Sequence, residues 1–227
     1  MTHKGTKNLE TTRLILRKAL PADAEPMFRN WANDSEVTKY LTWPPHEDIE
    51  VTRKVLTSWV DNYQRDDYYQ WMIVLKETGE PIGSIMVSTV GRAQSAHIGY
   101  CIGKPWWHQG IMSEALTAVM DYLFDRVGMN RVQAKHAVEN PHSGGVMKKC
   151  GMKYEGTNRS CDRNNQGICD AAQYSILRSE WQRPRHFAEG IVFSDDGELV
   201  QEVYRRYDED NRLNKSKATR VEFLTTV

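Results

Sequence analysis

The sequence predicts an α/β fold: a mixed, mostly antiparallel central sheet flanked by helices, with a helical extension at the C-terminal end. Three observations carry this. Runs rich in β-branched and aromatic residues, Trp71–Leu75, Pro81–Val87 and Ala96–Ile102, follow one another with only short turns between them, the pattern of a meander. Apolar residues recur at helical spacing over Glu47–Tyr63 and again from Gly110 to Val127. Two polar turns, Pro105 to Gly110 and Asn140 to Ser143, each lead straight into a helix, and the free backbone N–H groups at such a start form an anion cradle.

Taken in order, Arg13–Arg17 reads as a strand and Leu20-Pro21-Ala22-Asp23 as a helix start with proline in the first turn. Two helical stretches follow, separated by the aromatic loop Tyr40–Pro45, where consecutive prolines interrupt helix and Trp43 can wall a pocket. Val51, Val55, Trp59 and Val60 give the next helix its apolar face. After the hairpin and its Gly79 turn, the helix from Gly110 buries Ile111, Ala115, Val119 and Leu123 and stops at Val127-Gly128. Arg131–Val138 is a strand and Ser143–Cys150 a short helix, with Gly151 free to take the positive φ of a C-cap. Met152–Ser160 and Ala171–Leu177 are the last strands of this domain, with Asn164-Asn165-Gln166-Gly167 as the turn.

With 227 residues the chain can bury one sizeable core, and 30 basic against 30 acidic residues leave no net charge to favour nucleic acid. No window reaches the ~18 apolar residues of a spanning helix, so neither a membrane nor a leader is expected and the cytoplasm is the expected location. The four cysteines, Cys101, Cys150, Cys161 and Cys169, form no C-x-x-C pair and read as free thiols. The seven histidines show no metal-ligand spacing, and no metal is expected.

The stretches LETTRLILRKALPADAEPMF (9–28), AHIGYCIGKPWW (96–107), HQGIMSEAL (108–116), NPHSGGVMKKCGM (140–152), YEGT (154–157) and DAAQYSILRSEW (170–181) together resemble the GNAT superfamily of acetyltransferases, most closely its ribosomal-protein (RimJ/RimL-type) branch. The resemblance covers residues 9–181 and implies a GNAT-type sheet, acetyl-CoA as acyl donor and an amine acceptor. It implies a pyrophosphate site on the amides of Trp107, His108, Gln109, Gly110, Ile111, Met112 and Ser113, with Asn140, Ser143 and Met147 completing the cofactor site. The pantetheine is expected along Cys101 and Ile102, whose amides would also meet the acetyl oxygen. The family's Arg/Gln-x-x-Gly-x-Gly/Ala pattern survives here only at Gly110, with Trp107 and Met112 in the other places.

The tyrosine with which many relatives protonate the departing thiolate is Met147 here, so Ser143 is the best remaining donor, with helix capping as its other reading. A thiol near pKa 8.5 leaves without a strong acid, so the loss is tolerable. His97 stands where relatives often carry glutamate and is a candidate base, or a sheet-surface histidine. Asp162, seven residues past Glu155, matches an acidic position proposed to act on the amine, and Trp43 and Tyr100 are expected at the acceptor. An α-amine with pKa about 7.7–8.0 is appreciably neutral at pH 7 while a lysine near 10.4 is not, which favours a peptide N-terminus or a small-molecule amine.

After Trp181 the composition shifts to a Gln182–Arg185 linker and a charged segment. Val200, Val203, Tyr204 and Tyr207 are spaced for one face of a helix, and acidic 208–210 interleave with Arg205, Arg206 and Arg212. Residues 203–227 also resemble the lead-in of a class I S-adenosylmethionine-dependent methyltransferase, without the glycine-rich turn that would follow. Two other functions fit: a non-catalytic acyl-CoA sensor, and a scaffold for a methyltransferase partner. The protein is expected as a monomer or homodimer.

Overall fold

In the computed structural model, residues 1–91, 93–181, 187–193, 199–206 and 221–226 are described. The strands are β1 (Asn8–Glu10), β2 (Leu14–Arg17), β3 (Tyr69–Leu75), β4 (Pro81–Val90), β5 (Ser95–Ile102), β6 (Arg131–Ala137), β7 (Lys153–Asn164) and β8 (Gly167–Leu177). Helices α1 (Ala24–Met27), α2 (Ser35–Thr38) and α3 (Ile49–Asn62) lie between β2 and β3, α4 (Ile111–Tyr122) between β5 and β6, and α5 (Pro141–Lys149) between β6 and β7. The eight strands run in the order β1-β2-β3-β4-β5-β6-β8-β7. Every pairing among them is antiparallel except β5 with β6.

Alternation along the strands makes two cores, one on each face of the sheet. Leu14, Leu16, Trp71, Ile73, Ile85 and Ile98 point to the face covered by α4, whose Ala115, Leu116, Val119 and Met120 are fully buried against them. Met72 and Val74, one residue out of phase, face Met27, Trp31 and Leu56 of the α1–α3 layer. Asp48 caps α3 by accepting from the Val51 N–H at 3.0 Å, and Asp34 caps α2 through the Glu36 N–H at 2.8 Å.

The helix expected from Gly110 to Val127 forms as α4 followed by a wider π turn, Leu123–Val127, and Gly128 at φ 81° ends it. The Asn164–Gly167 turn is tighter than the strand ends expected around it, because β7 and β8 run to its edges with bulges after Tyr154 and Asn158.

The helical extension is overturned. Phe187–Phe193, Leu199–Arg206 and Val221–Thr226 are strands β9, β10 and β11, in the order β11-β9-β10 beyond β1. β10 runs parallel to β1, with Asn8 opposite Val203 and Glu10 opposite Arg205. The open edge of β1 offers ladder partners to a segment rich in Val and Tyr, and cross-strand pairing outweighs the helical spacing of its apolar residues. Residues 182–186, Tyr207 and the charged run 208–212 lie outside the described residues, as does most of the methyltransferase-like segment.

Candidate active site

β5 and β6 stay paired for only three residues, Ser95–His97 against Arg131–Gln133, and then part. From Ile98 to Ile102 the β6-facing edge of β5 has no ladder partner among the described residues, although its other edge remains zipped to β4 as far as Ile102 opposite Gly83. The parting follows from the crossover: α4 fills the space behind the strands, and α5 enters from the far end of β6. The gap opens into a cleft of about 680 Å³ lined by β5, the starts of α4 and α5, and Glu36, Val37, Lys39, Tyr40 and Leu41.

Neither helix spends its free amides on a side-chain cap. Gly110, in the left-handed region at φ 73°, precedes α4 and has no side chain to cap it, and Asn140 precedes α5 without making a side-chain cap hydrogen bond. A Cβ on Gly110 would meet Lys149 Nζ at 3.2 Å, so an ammonium also stands at the mouth. His108, itself at φ 60°, packs edge-to-face on His142 with ring centroids 4.9 Å apart, and both line the cleft. Free N–H groups, an ammonium and two imidazoles at one mouth suit a pyrophosphate.

Of the expected cofactor residues, Cys101, Ile102, Trp107, His108, Gly110, Ile111, Met112, Ser113, Asn140 and Ser143 line the cleft. Trp107 is fixed by its indole N–H donating to the Ile102 carbonyl at 2.8 Å. Gln109 lies outside the lining; its amide donates to the Pro105 carbonyl at 2.8 Å and its own carbonyl accepts from Arg13. Met147 is a correction: it is 1% exposed in the core behind α5, because the helix turns that position inward, and it does not line the cleft. Cys101 contacts Ser84 Oγ at 3.5 Å, and burial pushes its thiol up, so it stays protonated.

Ser143 is not the cap of α5. It sits inside the first turn, and its Oγ lies 3.0 Å from the Tyr100 hydroxyl, which also donates to the Ser143 carbonyl at 3.0 Å. Burial pushes the Tyr100 phenol well above its ordinary value, partly offset by Ser143, so it remains a proton carrier at neutral pH. The pair spans the gap between β5 and α5. Sequence reasoning missed it because the two residues are 43 apart and only the topology brings them together.

His97 and Asp162 lie off the cleft lining, on the other face of the sheet. Lys135 Nζ contacts Asp162 Oδ2 at 3.0 Å, and both charges act on His97. Burial first, then Lys135, hold the imidazole below its ordinary value, with Asp162 pulling the other way. Strand alternation puts His97 and Gln133, paired in register, and Lys135 on one face, a signal that could have found Lys135. Trp43 packs against the α1–α3 core with its ring 5.3 Å from His46 and is absent from the cleft wall, where Lys39, Tyr40 and Leu41 stand instead. Among the described residues no cluster of three or more His, Cys, Asp or Glu could hold a metal, and no helix is long and apolar enough to cross a membrane.

Residues 13–153 match the family model described as the acetyltransferase (GNAT) domain. The uncharacterized N-acetyltransferase p20 of Bacillus licheniformis is 31% identical over 176 residues, 77% of this chain and 98% of that protein. The ribosomal protein uS5-alanine N-acetyltransferase of Escherichia coli K12 is 34% identical over 157 residues, 65% of this chain and 79% of that one. Among solved structures, a GNAT-family acetyltransferase from Bacillus anthracis superposes with a TM-score of 0.68 at 26% identity, covering 76% of this chain and 99% of the other.

Proposed function

The chain belongs to the GNAT acetyltransferase family, an N-acetyltransferase by its relatives, and on that footing we propose that it moves the acetyl group of acetyl-CoA to a primary amine, a peptide N-terminus or a small molecule, by direct attack in a ternary complex. One observation carries the donor site: two uncapped helix starts converge on a cleft that runs along the unpaired edge of β5. The α4 amides from Ile111 to Ser113 take the pyrophosphate, assisted by Lys149 and His142. The open edge of β5 accepts an extended pantetheine as an added strand, and of the two expected amides it is that of Ile102, on this edge, that stabilises the tetrahedral oxyanion, Cys101 opposite Ser84 turning its N–H to β4.

The acceptor amine approaches from the opposite face. Asp162 orients it, and His97 takes its proton directly or through water as the N–C bond forms. When the C–S bond breaks, the thiolate receives a proton from the Tyr100–Ser143 hydroxyl pair. That the E. coli relative is named for an alanine of ribosomal protein uS5 supports a protein amine as acceptor.

A thiol-release assay with acetyl-CoA and a panel of amines tests this, with Tyr100→Phe and Ser143→Ala as probes. Both variants are expected to lose about 10²-fold in kcat with little change in acetyl-CoA affinity, the mark of a group that acts in the transition state. Unchanged kcat in both would remove the hydroxyl pair from the mechanism, and no turnover with any amine by the wild type would reject acetyl transfer to amines.

A further inference from the structure

The hairpin turn between β1 and β2 reaches across to the turn that opens α4. Thr11 Oγ1 and the backbone N–H of Arg13 donate to Glu114 Oε1 at 2.6 and 2.9 Å, and Arg13 Nε donates to Glu114 Oε2 at 2.7 Å, so both carboxylate oxygens are taken. The other arm of the guanidinium, Nη1, donates to the Gln109 carbonyl at 3.0 Å. Its footing is firm: the Lys76 N–H donates to the Arg13 carbonyl at 2.8 Å, and Lys76 Nζ donates to that of Thr11 at 2.6 Å. Neither Arg13 nor Glu114 lines the cleft.

Gln109 stands between two residues in the left-handed region, His108 at φ 60° and Gly110 at φ 73°. Glycine takes that conformation freely, whereas histidine holds it only where the surroundings over-determine it. Here they do: the Gln109 side-chain amide donates to the Pro105 carbonyl at 2.8 Å, the Gln109 carbonyl receives Arg13, and the Glu114 N–H donates to the Gly110 carbonyl at 3.1 Å. Glu114 brings a carboxylate to the first turn of α4, beside the proposed pyrophosphate site, and Arg13 offsets its charge there. Burial alone would raise the Glu114 carboxyl; Thr11 and Arg13 overcome it and hold it below its ordinary value, so the ion pair persists at neutral pH.

We propose that Arg13 is a positioning residue for the acyl donor: seated on Glu114, its guanidinium keeps the turn 108–110 in the left-handed form, with the α4 amides open to the cleft, before the donor arrives. This rests on the donor site proposed above and names what prepares it. Arg13 thus acts through the Gln109 carbonyl and not on the donor itself. Donor affinity scales with the fraction of molecules whose turn is competent, so a turn competent about one time in ten binds about tenfold more weakly and reacts as before once filled. The task needs a fork, because the two acceptors, a carboxylate and a peptide carbonyl, are met by different guanidinium nitrogens. A lysine ammonium is a point charge on a flexible stem and does not replace it.

Titration with acetyl-CoA, joined to kinetics with an amine that the wild type accepts, tests this. Arg13→Met and Arg13→Lys are both expected to raise the acetyl-CoA dissociation constant at least about tenfold, with kcat at saturating acetyl-CoA within about twofold. Glu114→Gln should shift the constant the same way by about threefold or more, and it decides the matter if Arg13→Met does not fold. Arg17→Met is the control. That arginine, at the other end of β2, pairs with Asp23 through two 2.7 Å contacts off the cleft lining, and its loss is expected to lower the melting temperature and leave affinity within about twofold. Amide hydrogen exchange over residues 108–113 of the donor-free protein should be faster in Arg13→Met and Glu114→Gln than in the wild type. Wild-type affinity in Arg13→Lys would make Arg13 a mere charge near the phosphates, and an equal loss in Arg17→Met would make the effect a general loosening. Either result, or unchanged affinity or exchange in Arg13→Met or Glu114→Gln, overturns the positioning role and leaves the donor site standing. A wild type that binds no acetyl-CoA defeats the donor site itself.

Discussion

Single side chains set the charge state of the acceptor face. In the proposed reaction His97 takes a proton only while neutral, and burial and Lys135 hold it below the ordinary imidazole value against Asp162. Activity is lost as pH falls through the pKa of a base, so the acid limb of kcat at saturating amine is expected below about 6.5. Lys135→Met removes a neighbouring cation, which favours the imidazolium and moves that limb to higher pH. Asp162→Asn removes a neighbouring anion and moves it lower. Limbs that shift the same way in both variants, or stay still, would take the base role away from His97.

One contact seats α5, at the scale of elements. A Cβ added at Gly144 would lie 2.5 Å from His136 Nε2, and the ring cannot swing freely because its Nδ1 is 2.7 Å from the Ala137 carbonyl. Gly144→Ala must lift or tilt the helix, and overpacking of this kind costs about 1–3 kcal/mol. The expected outcome is a lower melting temperature together with weaker acetyl-CoA binding, since the same helix start lines the donor cleft. Calorimetry and titration on the one variant check both, and a loss of stability with unchanged affinity would separate α5 from the cofactor.

The same scale shows what the chain made legible. Glu47–Tyr63 and the run after Gly110 could be read because a long apolar stripe needs one buried face whatever it packs on, and β3 to β5 because only turns separate them. The turn before α4 was legible for the same local reason: Gly110 and the helix behind it are contiguous. Met147 was misplaced because a family position does not say which way a helix turns. Tyr100 with Ser143, Lys135 with Asp162, and Arg13 with Glu114 join residues distant in sequence, and no local pattern marks such pairs. The tail misled because Val200, Val203 and Tyr204 suit helix or strand alike, and the neighbouring edge of β1 decides.

At the scale of the whole molecule, the proposed chemistry lies where β5 and β6 part, and the appended strands join the sheet at its far side, beyond β1. β10 covers β1, which is separated from β5 by three strands. Deleting residues 186–227 is therefore expected to leave the acetyl-CoA dissociation constant within about twofold, while the uncovered β1 edge promotes self-association. Titration and light scattering on the shortened chain report the two effects separately. Lost donor binding would mean that the appended strands support the cleft after all.

The three residue pairs between β5 and β6 are a narrow seam in an otherwise continuous sheet. On one side lies a raft of strands fastened by α1 to α4, and on the other a smaller raft, β6 to β8, carrying α5. In the proposed complex a donor lying along the seam bonds to both rafts at once, so its binding acts as a stitch as well as an occupancy. By linkage, donor at 100 times its dissociation constant adds about 2.7 kcal/mol to the cohesion of the fold. The resistance of this protein to heat and proteases thus becomes a gauge of how much acyl donor surrounds it.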